Sequence, residues 1–126
     1  MKILILGAGR VGSSLASTLS RQEYEVSIVD LNKDKLLRLQ EDCDLATEIG
    51  HASHPVTLEK AGADEETIVL AVTNSDECNI TSCQIAKSKF NVKKTICRLS
   101  DASYLESLEA FGKDNIDIAI GPENEV

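Results

Sequence analysis

The residue types able to do chemistry in this chain cluster where short apolar runs end. Lys2-Ile3-Leu4-Ile5-Leu6 leads into Gly7-Ala8-Gly9-Arg10-Val11-Gly12, and Glu25-Val26-Ser27-Ile28-Val29 ends at Asp30. Strand, glycine turn, helix, strand and acid in that order make a site for phosphate and ribose. Gly7 permits the tight turn, Gly9 has no Cβ and lets a pyrophosphate approach the backbone, and Gly12 lets the helix pack close to the strand. The helix directs its free N–H groups and the positive end of its dipole at the phosphates, and the N–H of Arg10 belongs to that cradle. Asp30 falls 18 residues after Gly12, where its carboxylate can accept hydrogen bonds from both ribose hydroxyls.

The elements that must position these residues alternate between two periods. Strands are predicted at about 2–6, 26–30, 45–49, 67–72, 94–98 and 116–120. Near-continuous apolar runs such as Ile3-Leu4-Ile5-Leu6 and Thr67-Ile68-Val69-Leu70-Ala71-Val72 mark central parallel strands covered on both faces. Between them, Val11, Leu15 and Leu19 form an apolar helical stripe, and Leu36, Leu37 and Leu39 supply the buried side of a second helix. A third helix starts after His54-Pro55 and ends near Ala61-Gly62. The fourth starts near Asp76, a good N-cap, and carries Ile80, Cys83 and Ile85 inward. The fifth, about 101–111, presents Leu105, Leu108 and Phe111. Alternating β and α elements with right-handed crossovers predict a Rossmann-like α/β fold. Its doubly wound parallel sheet has six strands in the order 3-2-1-4-5-6, in a three-layer αβα arrangement.

Such sheets bind ligands outside the carboxyl ends of their strands, where strand order reverses. The fourth strand, beside the first at that reversal, runs out in Val72-Thr73-Asn74-Ser75-Asp76-Glu77. Thr73 and Asn74 offer short hydrogen-bonding groups there; the alternative is a plain strand-to-helix loop capped by Ser75 or Asp76. Arg98, at the end of the fifth strand, can balance phosphate charge or stack on a ring, or simply be a surface ion-pair residue. His51 and His54 stand in Gly50-His51-Ala52-Ser53-His54-Pro55 without a carboxylate or cysteine in a metal-ligand pattern. A contribution to the adenosine end of the site, or helix capping, is expected of them rather than metal binding.

At 126 residues the chain is expected to be one domain. A net charge of −8 argues against general nucleic-acid or anionic-membrane binding. Lys87, Lys89, Lys93 and Lys94, around Asn91, are read as a solvated loop at a helix C-terminus. Cys43, Cys78, Cys83 and Cys97 form no CxxC, so neither zinc nor a redox pair is suggested, and Cys97 reads as a small core residue. Apolar runs of about five residues fall far below the ~20 needed to span a bilayer. Met1-Lys2 enters the first strand directly, without a secretory pattern. The expectation is a cytoplasmic chain with no direct membrane insertion.

The glycine loop 7–12, Asp30, Gly50-His51-Ala52-Ser53-His54-Pro55, Ala61-Gly62-Ala63, Ala71-Val72-Thr73-Asn74-Ser75-Asp76-Glu77 and Arg98 together resemble the RCK, or KTN, regulatory domain of potassium channels and transporters. The resemblance covers essentially the whole chain and points to the TrkA amino-terminal branch, in which His51 stands where other branches carry aspartate. It implies that 1–126 is an RCK N-terminal NAD-binding domain. The implied protein is a regulatory subunit on the inner face of the plasma membrane that binds NAD⁺ or NADH and gates a membrane potassium translocator of the Trk type. It further implies nucleotide contacts on Gly7, Ala8, Gly9, Arg10 and Val11, on Asp30, on Thr73 and Asn74, and on Arg98. Family members continue into a crossover helix that packs on a second copy, which implies a homo-oligomer. The chain stops at Val126, so the resemblance makes it a fragment or a stripped-down member.

A regulatory binding module needs no catalytic group in the chain. The competing class, an NAD-dependent oxidoreductase, needs a substrate site and an acid/base group near the nicotinamide. Tyr24 and Tyr104 lack a Tyr-x-x-x-Lys partner, the residue four after Tyr104 being Leu108. The expectation is therefore not an enzyme. Asp30 is expected to disfavour NADP, because its carboxylate faces the 2′-phosphate. It does not separate NAD from ATP or ADP, which remain the alternative ligands.

Overall fold

In a computed structural model, residues 1–111 and 114–122 are described. Six strands, β1 (Lys2–Leu6), β2 (Glu25–Asp30), β3 (Ala46–Ile49), β4 (Thr67–Ala71), β5 (Lys94–Arg98) and β6 (Ile118–Ile120), form one sheet. They lie in the order β3-β2-β1-β4-β5-β6, and every pairing is parallel. The predicted strand order is the observed one.

Among the described residues, six helices connect the strands: α1 (Arg10–Ser20), α2 (Lys33–Asp42), α3 (Pro55–Lys60), α4 (Asp76–Phe90), α5 (Ala102–Glu106) and α6 (Leu108–Phe111). The period of two in each strand divides the apolar runs between two layers of core. Ile3, Ile5, Val26, Ile28, Leu70 and Val72 pack with Ala16 of α1 and Leu36 of α2. Leu4, Leu6, Val29, Val69, Ala71 and Cys97 pack with Leu58 of α3 and Ile80, Cys83 and Ala86 of α4. Each fully buried leucine or isoleucine among them contributes roughly 1.5–3 kcal/mol. The neighbouring Cys97 sulfur and burial both push the Cys83 thiol far above its ordinary range, so it stays protonated in this core.

Several boundaries differ from the sequence reading, each for a local reason. Leu37 is 46% exposed, because Leu36 and Leu39 share one helical face and the residue between them turns away. The cap of α4 is Ser75, whose Oγ accepts the Cys78 N–H at 3.1 Å, and Asp76 is already helical. β4 ends at Ala71, although the Val72 N–H still donates to the Leu6 carbonyl at 3.0 Å. β6 starts at Ile118, because the Asp117 carboxylate accepts the Thr95 N–H at 2.8 Å where a backbone carbonyl would otherwise pair. The predicted fifth helix is two. The Ser107 N–H is shared between the carbonyls of Ser103 and Tyr104 at 3.1 and 3.2 Å, and the last turn of α5 tightens there. Leu105 and Leu108 pack on the core as expected, while the side chain of Phe111 lies outside the described residues.

α4 ends as its sequence dictates. Asn91 takes the left-handed conformation at φ 52°, and the Val92 N–H reaches back to the Ala86 carbonyl at 3.2 Å. Lys87 is no free loop lysine: its ammonium lies 2.9 Å from the Asp117 carboxylate. On the α1 side of the sheet, an apolar groove of about 480 Å³ runs from Met1 past Ile68 and Ile96 to Ile120. No helix among the described residues is long and apolar enough to cross a membrane.

Candidate nucleotide-binding site

Strand order reverses between β1 and β4, and the residues that follow both strands meet there. Gly7, directly after β1, has φ +109°, a conformation that a side chain would strain. A Cβ on it would lie 3.0 Å from Thr73 N and Cα, so the turn rests on the chain leaving β4. Gly12 is buried one turn into α1, and a Cβ there would lie 1.7 Å from the Gly7 carbonyl oxygen. The fold itself demands these two glycines.

Gly9 differs from both. Its φ of −77° suits any residue, and a Cβ on it would meet nothing within 4 Å. Nothing inside the protein calls for glycine there, and the vacant space lies at the N-terminus of α1. That helix has no side-chain cap and no acid in its first turn, so its terminal N–H groups and dipole face outward uncompensated. A diphosphate fits this cradle in charge and in room.

Asp30 closes β2 beside the turn. Its Oδ1 accepts the Ala8 N–H at 2.8 Å and its Oδ2 the Asn32 N–H at 2.7 Å. The carboxylate thus holds the glycine turn and the β2–α2 loop together, and each oxygen keeps a lone pair for a further donor. Asn32 in turn caps α2, accepting the Lys35 N–H at 3.1 Å.

The other wall is organised by α4, through Asn79 and Ser82, which the sequence reading did not single out, and Asp76, which it read as a helix cap. Asn79 is fully buried; its Oδ1 accepts the N–H and Oγ–H of Thr73 at 2.9 and 2.7 Å. Its Nδ2 donates to the carbonyls of Thr73 and Arg98 at 3.1 and 2.8 Å. Asp76 accepts the N–H groups of Ser100 and Asp101 at 2.9 and 2.8 Å. Ser82 donates to the Ala52 carbonyl at 3.0 Å. Positions 76, 79 and 82 form one polar stripe at three-residue spacing, which is the signal in the sequence that could have found them. One helix face therefore fixes the ends of β4 and β5 and the loops after β3 and β5.

The predicted residues ring the carboxyl edge of the sheet but do not share one cavity. Gly7, Asp30 and Thr73 line a crevice of about 120 Å³ together with Gly50, His51 and Cys78. Ala8, Gly9 and Arg10 line a shallower concavity of about 330 Å³ with Ser13, Lys35 and Arg38. Val11 and Arg98 face the upper end of the apolar groove. Asn74 lies apart, with Asp76, Glu77, Asp101 and Tyr104 around it. There the Tyr104 hydroxyl donates to Glu77 at 2.7 Å, which holds the Glu77 carboxyl below its ordinary range and raises the phenol. The groove is the largest of these hollows, yet its lining is almost wholly apolar. The backbone N–H groups at the start of α1 and the Asp30 carboxylate lie instead at the smaller hollows around the glycine turn.

The rings of His51 and His54 stack, with centroids 4.5 Å apart and planes 15° from parallel. His51 Nδ1 accepts the Ser53 N–H at 3.3 Å, which assigns the proton of the neutral ring to Nε2. His54 stands at the N-cap of α3 without a side-chain capping bond, so His51 is the histidine at the crevice.

The sequence profile of the TrkA-N domain family matches residues 3–122. The Trk system potassium uptake protein TrkA of Vibrio alginolyticus is 44% identical in an alignment 126 positions long that covers 98% of this chain and 28% of that protein. The chain spans about 28% of the length of the first curated relatives it matches. Among solved structures, the Shewanella denitrificans Kef C-terminal domain in its AMP-bound form superposes with a TM-score of 0.76 at 22% identity, over 94% of this chain and 71% of that one. The GsuK channel bound to NAD superposes with a TM-score of 0.74 at 19% identity, over 94% of this chain and 21% of that one. At those identities the two structures carry the fold alone. The family profile covers nearly every residue of the sheet and its glycine turn, and the chain belongs to the TrkA-N domain family.

Proposed function

We propose that residues 1–126 act as a regulatory RCK N-terminal domain that binds NAD⁺ or NADH and has no catalytic role of its own. In this reading it serves a Trk-type potassium uptake system, as a peripheral cytoplasmic part that gates a membrane potassium translocator and works as a homo-oligomer. Nucleotide exchange favours one of two arrangements of the assembly, and the differential contacts shift the gate.

The observation that carries the reading is the Cβ-sized room at Gly9, at the N-terminus of α1, which has no side-chain cap, and next to the Asp30 carboxylate. Gly7, Ala8, Gly9, Arg10, Val11 and Gly12 supply the phosphate side in this proposal. Asp30 supplies the ribose side, and Thr73, Asn74 and Arg98 the remaining contacts. The TrkA proteins among the relatives support the potassium link, and the NAD-bound GsuK channel supports the choice of ligand. The AMP-bound Kef domain keeps ATP or ADP as the competing ligand.

Calorimetric titration with NADH, NAD⁺, ATP and ADP under identical conditions tests the proposal. Tighter binding of NAD(H) supports it. Preference for ATP or ADP retains the nucleotide site and changes the signal it reads. No binding to any of the four overturns it.

A further inference from the structure

Thr73 faces the crevice with every donor it owns already committed inside the protein. Its N–H and Oγ–H both go to Asn79 Oδ1, at 2.9 and 2.7 Å. The Ser75 carbonyl, 3.2 Å from the same hydroxyl, is the only other acceptor in reach among the described residues, and it too is internal. The orientation of the Asn79 amide is fixed independently, because its Nδ2 lies 2.8 Å from the Arg98 carbonyl and 3.1 Å from that of Thr73. Turning the amide over would set its oxygen against two carbonyls. Thr73 Oγ also accepts the Ser75 N–H at 3.2 Å, which leaves it one free lone pair.

Asn79 itself is fully buried, and all of its hydrogen-bonding capacity is spent on the ends of two strands. β4 and β5 are paired as far as Ala71 and Cys97, and Asn79 bridges them beyond that point. Sequence spacing makes Thr73 a hydrogen-bonding group at the site without saying in which direction it bonds; Asn79 settles the direction.

We infer that Asn79 is a positioning residue that makes Thr73 an acceptor only, so that Thr73 reads a hydroxyl or amino donor on the nucleoside and gives nothing to phosphate. The inference rests on the nucleotide reading above and deepens it. The crevice pairs two acceptors, Asp30 and Thr73, and suits the donor-bearing half of the ligand. Phosphate, which only accepts at neutral pH, is left to the backbone N–H groups at the start of α1.

Titration of the chain with adenosine and with ADP separates the two roles, because the ligands share the nucleoside and differ in phosphate. Thr73→Val removes the hydroxyl at nearly constant volume. It is expected to weaken adenosine and ADP by the same factor, roughly three- to tenfold, as for one neutral hydrogen bond. Thr73→Ser is expected to restore both affinities. A loss confined to ADP, or no loss with either ligand, overturns the inference.

Asn79→Leu, titrated well below its melting temperature, is expected to weaken adenosine about as much as Thr73→Val, with no further loss in the double variant. If that variant does not fold, the two Thr73 variants still decide whether Thr73 reads the nucleoside or the phosphate. A melting temperature lowered by Asn79→Leu with unchanged adenosine affinity leaves Asn79 a purely structural residue and overturns its positioning role. A parent chain that binds neither ligand overturns the nucleotide reading itself, a result distinct from any of these.

Discussion

The Asp30 carboxylate accepts the Ala8 N–H at 2.8 Å, across 22 residues of sequence. The acid expected to read a ribose therefore also fixes the turn expected to hold the phosphates. Asp30→Ala is expected to weaken NADH by about ten- to a hundredfold, from the loss of roughly 1.5–3 kcal/mol of bonding to a charged acceptor. Calorimetry on a variant with native circular dichroism checks this. Unchanged affinity would remove the ribose assignment.

Gly9 and Gly12 should separate binding from folding. Gly12→Ala puts a methyl group 1.7 Å from the Gly7 carbonyl oxygen, and a loss of about 3 kcal/mol or more in folding stability is expected. Gly9→Val meets open space at an ordinary φ, so its folding cost is that of a poorer N-cap, about 1 kcal/mol. Nucleotide binding by the folded Gly9→Val protein should nevertheless be abolished. Urea denaturation paired with NADH titration distinguishes the two variants, and full binding by Gly9→Val contradicts the cradle.

Of the two residues that the sequence offers as the cap of α4, Ser75 caps the helix and Asp76 holds the loop after β5. Ser75→Ala is expected to cost about 1 kcal/mol through the lost bond from the Cys78 N–H. Asp76→Asn should leave the start of α4 intact and loosen the loop after β5, where its carboxylate holds Ser100 and Asp101. Hydrogen exchange reads this as faster exchange at the amides of Ser100 and Asp101 with protection in α4 retained.

Acid stability should report on Asp117. Burial pushes its carboxyl up, but the Lys87 ammonium and the Thr95 N–H outweigh burial and hold it below its ordinary 3.8. A carboxyl depressed by folding stabilises fully above its unfolded value, and the contribution is lost as pH falls through the folded value. Asp117→Asn should therefore lower the melting temperature at pH 7, with variant and parent curves converging as the pH falls below 3.8. A gap that stays constant down to pH 2 would show that the charge of Asp117 contributes nothing.

Local pattern determined the fold of this chain by itself. Apolar runs of four to six residues, helical stripes such as Val11, Leu15 and Leu19, and turn residues at Gly7 and Gly62 are written along neighbouring positions. Right-handed connection of parallel strands then leaves the strand order 3-2-1-4-5-6, which is the one observed. The glycine turn and Asp30 were legible for the same reason, since each follows directly from the end of a strand. Tertiary structure alone decided how the edge of the sheet is wired. Asn79 reaches Arg98 across 19 residues, Ser82 reaches Ala52 across 30, and Asp76 reaches Ser100 across 24. In sequence they are polar residues of a helix at three-residue spacing, and the spacing names no partner. Which partner each one meets, and whether Thr73 gives or accepts a hydrogen bond, depends on where strand register and helix rotation bring distant backbone groups together.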